Sequence, residues 1–560
     1  MRDQDLDHTT TATDSPSPRL SRGWRRFFGV CALLIFIVLL ALLPPLITVN
    51  RYQKRIASSI GASLGRPVHL SNVTLTLLPM PGFTLENFVV DEDPAFGYEP
   101  VIRSNSVHAT LRLTSLWSRR VEFSTISFGD STSVNLVHLP DGRWNLEGIL
   151  LQAAQIEAAP TAQRKAGPAP RFPYIEATGA RVNLKQGLEK TPYSLTDADF
   201  ALWLPDPKQW HVRLEAHPAR TDSNVTETGV VRLEGTLGHA SSLQNVALDL
   251  QGDWRNAPLG EASRLLTGHD AGLRGEMTVS ASIHGTVGKS EMKSRLRLES
   301  VRRADFVPEH ELAIDMACQG TATNAFHGFE DIACNWPQPN GGMMSLKGSM
   351  GDIRKLSFAS VTLSSQQIPV ATVLDWLHVT SSRVPADISG EGSFAGQAVY
   401  GDKDAAVGRW SGELSGKGLA LRSDATKLAP LTIGDIAVST AAAPASDGAK
   451  GRHHSAKPAA VAQGFVLEPV TLDLGGKTPV TLDGTFDASG YTLHLNGMAV
   501  LSRLLALGAT IPPLGDGMKD ALSDSTMDGP VRVDLTATRP WGGAQVWSDS
   551  TAKPVVRARR

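Results

Sequence analysis

The chain of 560 residues balances 54 Lys and Arg against 56 Asp and Glu, a formal net charge of −2, so it offers no basic stripe to a nucleic acid. Gly (51) and Pro (34) are plentiful, aromatics make up 6%, and only three cysteines occur. That composition argues for β-rich material throughout and against a cysteine-built metal site.

Residues 1–23 are polar and proline-bearing and read as a disordered cytoplasmic tail. The apolar run Phe27–Leu43 follows Arg19, Arg22, Arg25 and Arg26, carries no charge, and with Trp24 makes a helix of roughly 30 Å, the thickness of a bilayer's hydrocarbon core. Trp24 and Tyr52 stand where aromatic belts form, and Pro44-Pro45 ends the helix. These features predict a transmembrane helix over 24–49, with most of the chain on the far side of the membrane. A cleaved signal peptide is the competing reading, but the run outlasts an ordinary signal core, and Leu43-Pro44-Pro45-Leu46 lacks a small-residue cleavage site.

From Asn50 to Gly65, Ile56, Ile60 and Leu64 recur at helical spacing, and Gly65 supplies a stop. Beyond it the period becomes two: Val73/Leu75/Leu77, Val107/Ala109/Leu111/Leu113, Val231/Leu233, Val246/Leu248/Leu250, Leu296/Leu298, Val361/Leu363, Leu472/Leu474, Val480/Leu482, Leu493/Leu495 and Val531/Val533/Leu535 alternate with polar residues. Residues 50–151 thus form a first β region and 174–539 a second. Between them 152–173, and within the second 440–464, are Ala/Pro/Ser/Gly-rich and predict disordered segments, as does the basic tail 540–560. At roughly 12 residues per strand and turn the soluble part would hold about 40 strands, and one continuous sheet would extend on the order of 190 Å.

The phrases VVRLEGTLG (230–238), MMSLKGSMG (343–351) and a third around Val480 to Asp487 place glycines at Gly235, Gly348 and Gly484. Their spacing is roughly 110 residues once 440–464 is set aside, and each is followed by a strand pattern and a leucine-rich helical stretch. A repeated unit of strands and a short helix suits an elongated stack.

Catalytic and metal motifs fail on context. Gly61-Ala62-Ser63-Leu64-Gly65 fits G-x-S-x-G but lies in a helix rather than at a strand-to-helix elbow. His310-Glu311 has Ile314 where a zincin needs its second histidine. His453-His454 sits in the low-complexity insert, and Asp91-Glu92-Asp93 meets Ala95 and Ile102 where a calcium loop needs ligands. No catalytic, cofactor or metal site is assigned, and the chain is not expected to be an enzyme. Cys31 lies in the membrane run, while Cys318 and Cys334 are equally readable as buried thiols or as a disulfide.

The phrase Gly82–Gly97 (GFTLENFVVDEDPAFG), the pattern Val107–Phe128 and the closing Val134–Leu150 (VNLVHLPDGRWNLEGIL) resemble the AsmA family of bacterial envelope proteins. The resemblance covers the first 150 residues well and the remainder by general texture. It implies an inner-membrane anchor, a long β-sheet groove in the periplasm, and a role in outer-membrane biogenesis, in targeting of proteins to that membrane and in carrying phospholipid. The implied partners are the membrane, phospholipid and outer-membrane assembly proteins. The family has no catalytic residues to carry over, and no lipid-binding residue is assigned. The expected fold is mainly β: an N-terminal transmembrane helix, then an elongated, repetitive β-sheet groove with a few short helices. A scaffold of β-sandwiches that regulates outer-membrane protein assembly and holds no lipid is the alternative.

Overall fold

The computed structural model describes residues 29–37, 53–149, 173–351, 359–440, 464–511 and 529–540, apart from short gaps at 77–79, 113–122, 130, 207–208, 226, 239, 241, 309, 339–340, 383, 402–409 and 488. The expected tail 1–23, all of the expected tail 540–560 but Pro540, most of the loop 152–173, and all of the insert 440–464 but its two end residues, His453-His454 included, lie outside the described residues. Of the expected membrane span 24–49, residues 29–37 are helical, with Val30, Leu33, Leu34 and Phe36 exposed, and the flanks lie outside the described residues. Among the described residues no helix is long and apolar enough to cross a membrane.

The helix α1 (Gln53–Leu64) leads into β1 (Val68–His69), β2 (Asn72–Thr76), β3 (Gly82–Val90), β4 (Ile102–Leu111), β5 (Phe123–Phe128), β6 (Ser133–His138) and β7 (Tyr174–Gln186). A meander follows through β8 (Glu189–Asp206), β9 (Gln209–Arg220), β10 (Val230–Gly238) and β11 (Ala247–Pro258) to α2 (Leu259–Thr267). Next come β12 (Leu273–Thr286), β13 (Lys289–Arg303), β14 (Leu312–Thr323), β15 (Gly328–Pro337), β16 (Met343–Met350), β17 (Ala359–Pro369) and α3 (Val370–Thr380). The chain continues with β18 (Ser389–Tyr400), β19 (Trp410–Ser423), β20 (Leu428–Thr440), β21 (Phe465–Leu472), β22 (Val480–Phe486), β23 (Gly490–Val500), α4 (Leu501–Thr510) and β24 (Pro530–Pro540).

Among the described residues all 24 strands belong to one sheet. From β7 onward each strand pairs antiparallel with the next. At the N-terminal end β1 and β2 share one edge of β3, while β5 and β6 lie end to end between β4 and β7, both parallel to β7. The strands are fewer and longer than the roughly 12-residue repeat suggested, β8 alone running 18 residues. At about 4.8 Å per strand the contour is roughly 100 Å, half the length estimated from the sequence.

The three repeated phrases occupy β10, β16 and β22, every sixth strand, and the helix in each case follows one strand later. Strands β11, β17 and β23 run in the same direction, so α2, α3 and α4 stand along one margin of the sheet, spaced about 29 Å apart. In each phrase the glycine pairs with an aliphatic residue of the next strand, Gly235 with Leu250, Gly348 with Val361 and Gly484 with Leu493. A Cβ would come within 2.0, 2.1 and 2.6 Å of a carbonyl oxygen of that strand. The glycines recur because the hairpin backbones close there to a distance no side chain survives.

Candidate functional site

Residues paired directly across a sheet share a face, so the registers trace which side chains line up. One such row runs Val73, Leu85, Val107, Phe128, Ala177, Phe200, Leu214, Leu233 and Gly252. It continues through Ala281, Ser294, Cys318, Cys334, Leu346, Leu363, Ala398 and Gly412. From β2 to β19, Ser294 is the one hydrogen-bonding side chain in it. A second row on the same face passes through Phe83, Ala109, Ile126, Ile175, Leu202, Val212, Gly235, Leu250, Ile283 and Met292 without a charged or amide side chain. A third links Val231, Trp254, Val279, Leu296 and Met316. The opposite face reads Arg213, Glu234, Gln251, Ser282, Lys293 and Glu215, Arg232, Asp253, Ser280, Arg295 across the same strands. The sheet is apolar on one side from β2 to β19, and across β9 to β13 its other side is ionic.

What covers the apolar side changes along it. At the N-terminal end α1 lays Ile56, Ile60 and Leu64 over Val73, Leu85 and Val107, which are 0%, 4% and 1% exposed. At the C-terminal end Leu467, Leu493, Leu495, Leu504 and Leu507 close into a complete core beneath α4. Between these plugs Leu214, Leu233, Leu250, Ile283, Met292, Leu346 and Leu363 are only half-buried, and Leu414 and Trp410 are exposed. Helices α2 and α3 cover the third row at one margin, where Trp254, Val279 and Leu296 pack against Leu259, Ala262 and Val379. The result is a trough with closed ends, one helical bank and an apolar floor that no second sheet covers.

Cys318 and Cys334 face each other in that floor and are joined by a disulfide. Of the alternating leucines read from the sequence, Leu363 lies half-buried in the first row and Leu248 is buried beside Leu237 and Gly285. The other motifs resolve as local structure. Gly61 to Gly65 form the end of α1 and its left-handed stop at Gly65. His310 accepts or donates a 3.2 Å hydrogen bond to Asp375 of α3. Among the described residues no group of three or more His, Cys, Asp or Glu is placed to hold a metal. Shallow cavities lie off the trough, one of about 670 Å³ between α1 and β1 and one of about 960 Å³ over the ionic face of β9 to β13, and neither gathers a nucleophile and base.

At the root of the sheet the phrases that carried the family resemblance meet. Asn145, fully buried, donates to a Glu92 carboxylate oxygen at 2.6 Å and to the Asn135 carbonyl at 2.8 Å, and its own oxygen accepts from the Val137 N–H at 3.0 Å. Arg66, just past α1, pairs with Asp93 at 2.9 Å. The Ala95 N–H and then Arg66 hold the Asp93 carboxyl below the usual range. Arg143 stacks over Phe96. The network ties α1 to the first strands, so the acidic turn is a structural joint. The sequence singled out both phrases but not their contact, and it missed Arg220 and Arg303, whose only local sign is the shared Arg-x-Asp spelling.

Fold and site together define an elongated, two-faced β-sheet protein with an apolar trough along its length. Residues 26–180 match the model of the AsmA family, a stretch that includes the joint at Glu92 and Asn145. That family points to a bacterial envelope protein with a role related to outer-membrane biogenesis. No curated protein and no solved structure matches the chain.

Proposed function

We propose that this chain is a periplasmic binding protein, held in the inner membrane by a single span over 24–49, that takes phospholipid acyl chains along its trough and supports outer-membrane biogenesis. The observation that carries the reading is the half-buried floor running unbroken between two closed ends. Each acyl methylene removed from water gains about 0.8 kcal/mol, and lipid lying on the floor also covers leucines that otherwise face solvent. The Cys318–Cys334 bond suits the oxidising side of the membrane. In this reading the protein is not an enzyme; conducting lipid and biasing which proteins reach the membrane both follow from holding or passing chains along the floor.

The test uses the full chain with a photo-crosslinking residue at Leu233 or Leu250 on the floor, or at Gln251 on the ionic face, mixed with phospholipid vesicles and irradiated. Phospholipid adducts are expected at 233 and 250 and not at 251. Absence of adducts at every position, in a protein that remains folded, would favour a scaffold that contacts assembly proteins and holds no lipid.

A further inference from the structure

We infer that α2 and α3 are lids on the trough's helical bank, each latched by an arginine from an earlier strand, and that releasing the latch admits acyl chains from the side. The inference rests on the lipid reading above for its cargo, but the latches themselves stand on geometry.

A helix leaves its last carbonyls without intrahelical partners. In α2 the Leu265 and Leu266 carbonyls accept from Arg220 Nη1 at 3.0 and 3.3 Å, and the Tyr193 hydroxyl donates to Leu266 O at 2.9 Å. In α3 the His378 carbonyl accepts from Arg303 Nη1 at 2.7 Å. Both arginines end a strand, β9 and β13, and both are built alike. Arg220 pairs with Asp222 at 2.5 Å and lies over the Tyr193 ring; Arg303 pairs with Asp305 and lies over the Phe306 ring. The positive guanidinium also complements the negative end of each helix dipole.

The latches reach backwards along the sheet. Helix α2 follows β11 and packs chiefly on β12, yet its latch reaches back to β8 and β9; α3 follows β17 and packs chiefly on β18, yet its latch reaches back to β13. Each joins its strand through a single proline, Pro258 or Pro369, in extended geometry and with no side-chain cap. The return from α2 passes Gly268 and Gly272, both at positive φ. Apart from the latch, α2 is held chiefly by one buried side, while Leu266 on α2 and Leu377 on α3 face solvent at 57% and 42% exposure. Helix α4 supplies the contrast. Its Leu504, Ala506 and Leu507 sink into the closed core of the C-terminal plug, and among the described residues no arginine donates to its last carbonyls; the bond from Thr510 to the Ala506 carbonyl has counterparts at Thr267 in α2 and Thr380 in α3 and is not what differs. Latches occur where the floor is open.

The experiment compares the full chain with Arg303→Met, Arg220→Met and Tyr193→Phe by hydrogen–deuterium exchange and by the rate of uptake of a fluorescent phospholipid from vesicles. Arg303→Met is expected to speed exchange across 370–380 about tenfold, as loss of a charge-assisted hydrogen bond implies, without changing 259–267, and to speed uptake while leaving the saturating amount unchanged. Arg220→Met is expected to do the same at 259–267. Tyr193→Phe removes one hydroxyl and keeps the ring, so it reads the α2 latch even if the arginine variants fold poorly; a several-fold acceleration confined to 259–267 is expected. Unchanged exchange would show that these groups hold nothing, and faster exchange with unchanged uptake would show that the helices are not gates. Wild-type protein that takes up no lipid would sink the lipid reading and the gating, while the exchange arm would still decide whether the latches exist.

Discussion

At the scale of single residues, the ionic face works through pairs that gain little individually and respond to pH. His494 on β23 stands 3.3 Å from both Asp534 and Asp483, and these hydrogen bonds, Asp534 first, raise its pKa above the ordinary histidine value. A raised folded-state value means the stabilisation is complete below the unfolded pKa of about 6.5 and fades as pH rises through the higher folded value. Asp93, Asp270 and Asp487 are shifted the other way, so their contribution is present above the usual carboxylate range and fades only in acid. Between about pH 6 and 8 the histidine term is therefore separable. Melting followed across that window should show stability falling with pH in the wild type and a flatter profile in His494→Gln; an unchanged slope would place the titration elsewhere.

At the scale of elements, the repeated hairpin is the unit the sequence showed most directly, because its glycine, its leucine and its helix all lie within one short stretch. The helix starts were readable from Pro258 and Pro369, and the alternation on β10, β17 and β23 from period alone. Strand number was not, since bulges such as the shift between Trp254 and Ala257 lengthen strands without a compositional sign. The parallel placement of β5 and β6 against β7 was equally hidden, because it depends on a crossover through 139–173 that no local pattern encodes. The glycine argument can be checked by substitution. Gly348→Val puts carbon 2.1 Å from Ser360 O and 2.8 Å from Val361 Cα, and must part β16 from β17. Denaturant unfolding should show a loss of about 2 kcal/mol or more, whereas Ser349→Ala next to it should stay within about 0.5 kcal/mol. Equal effects would mean the hairpin has room that the backbone distances deny.

At the scale of the whole molecule, the sequence revealed that each strand has a greasy side, but continuity of that side is a property of register across the sheet, which long-range pairing alone sets. The disulfide shows the same limit: Cys318 and Cys334 face each other because their hairpin is in register there, just before the irregularity at Gln319 and Thr321. Whether the apolar side is an ordinary core or an open floor is a question of what a charge costs at each place along it. Leu495, 0% exposed inside the C-terminal plug, has no route to water, so Leu495→Asp loses a leucine's burial and strands a carboxylate, on the order of 4 kcal/mol. Leu233 is half-buried with water already beside it, so the aspartate of Leu233→Asp can stay hydrated and should cost about 1 kcal/mol. On the trough reading Leu233→Asp then yields a folded chain that no longer takes lipid, while Leu495→Asp unfolds the plug. If both variants lost comparable stability by denaturant unfolding, the middle of the sheet would be a core like its ends, and the open floor on which lipid binding depends would not exist.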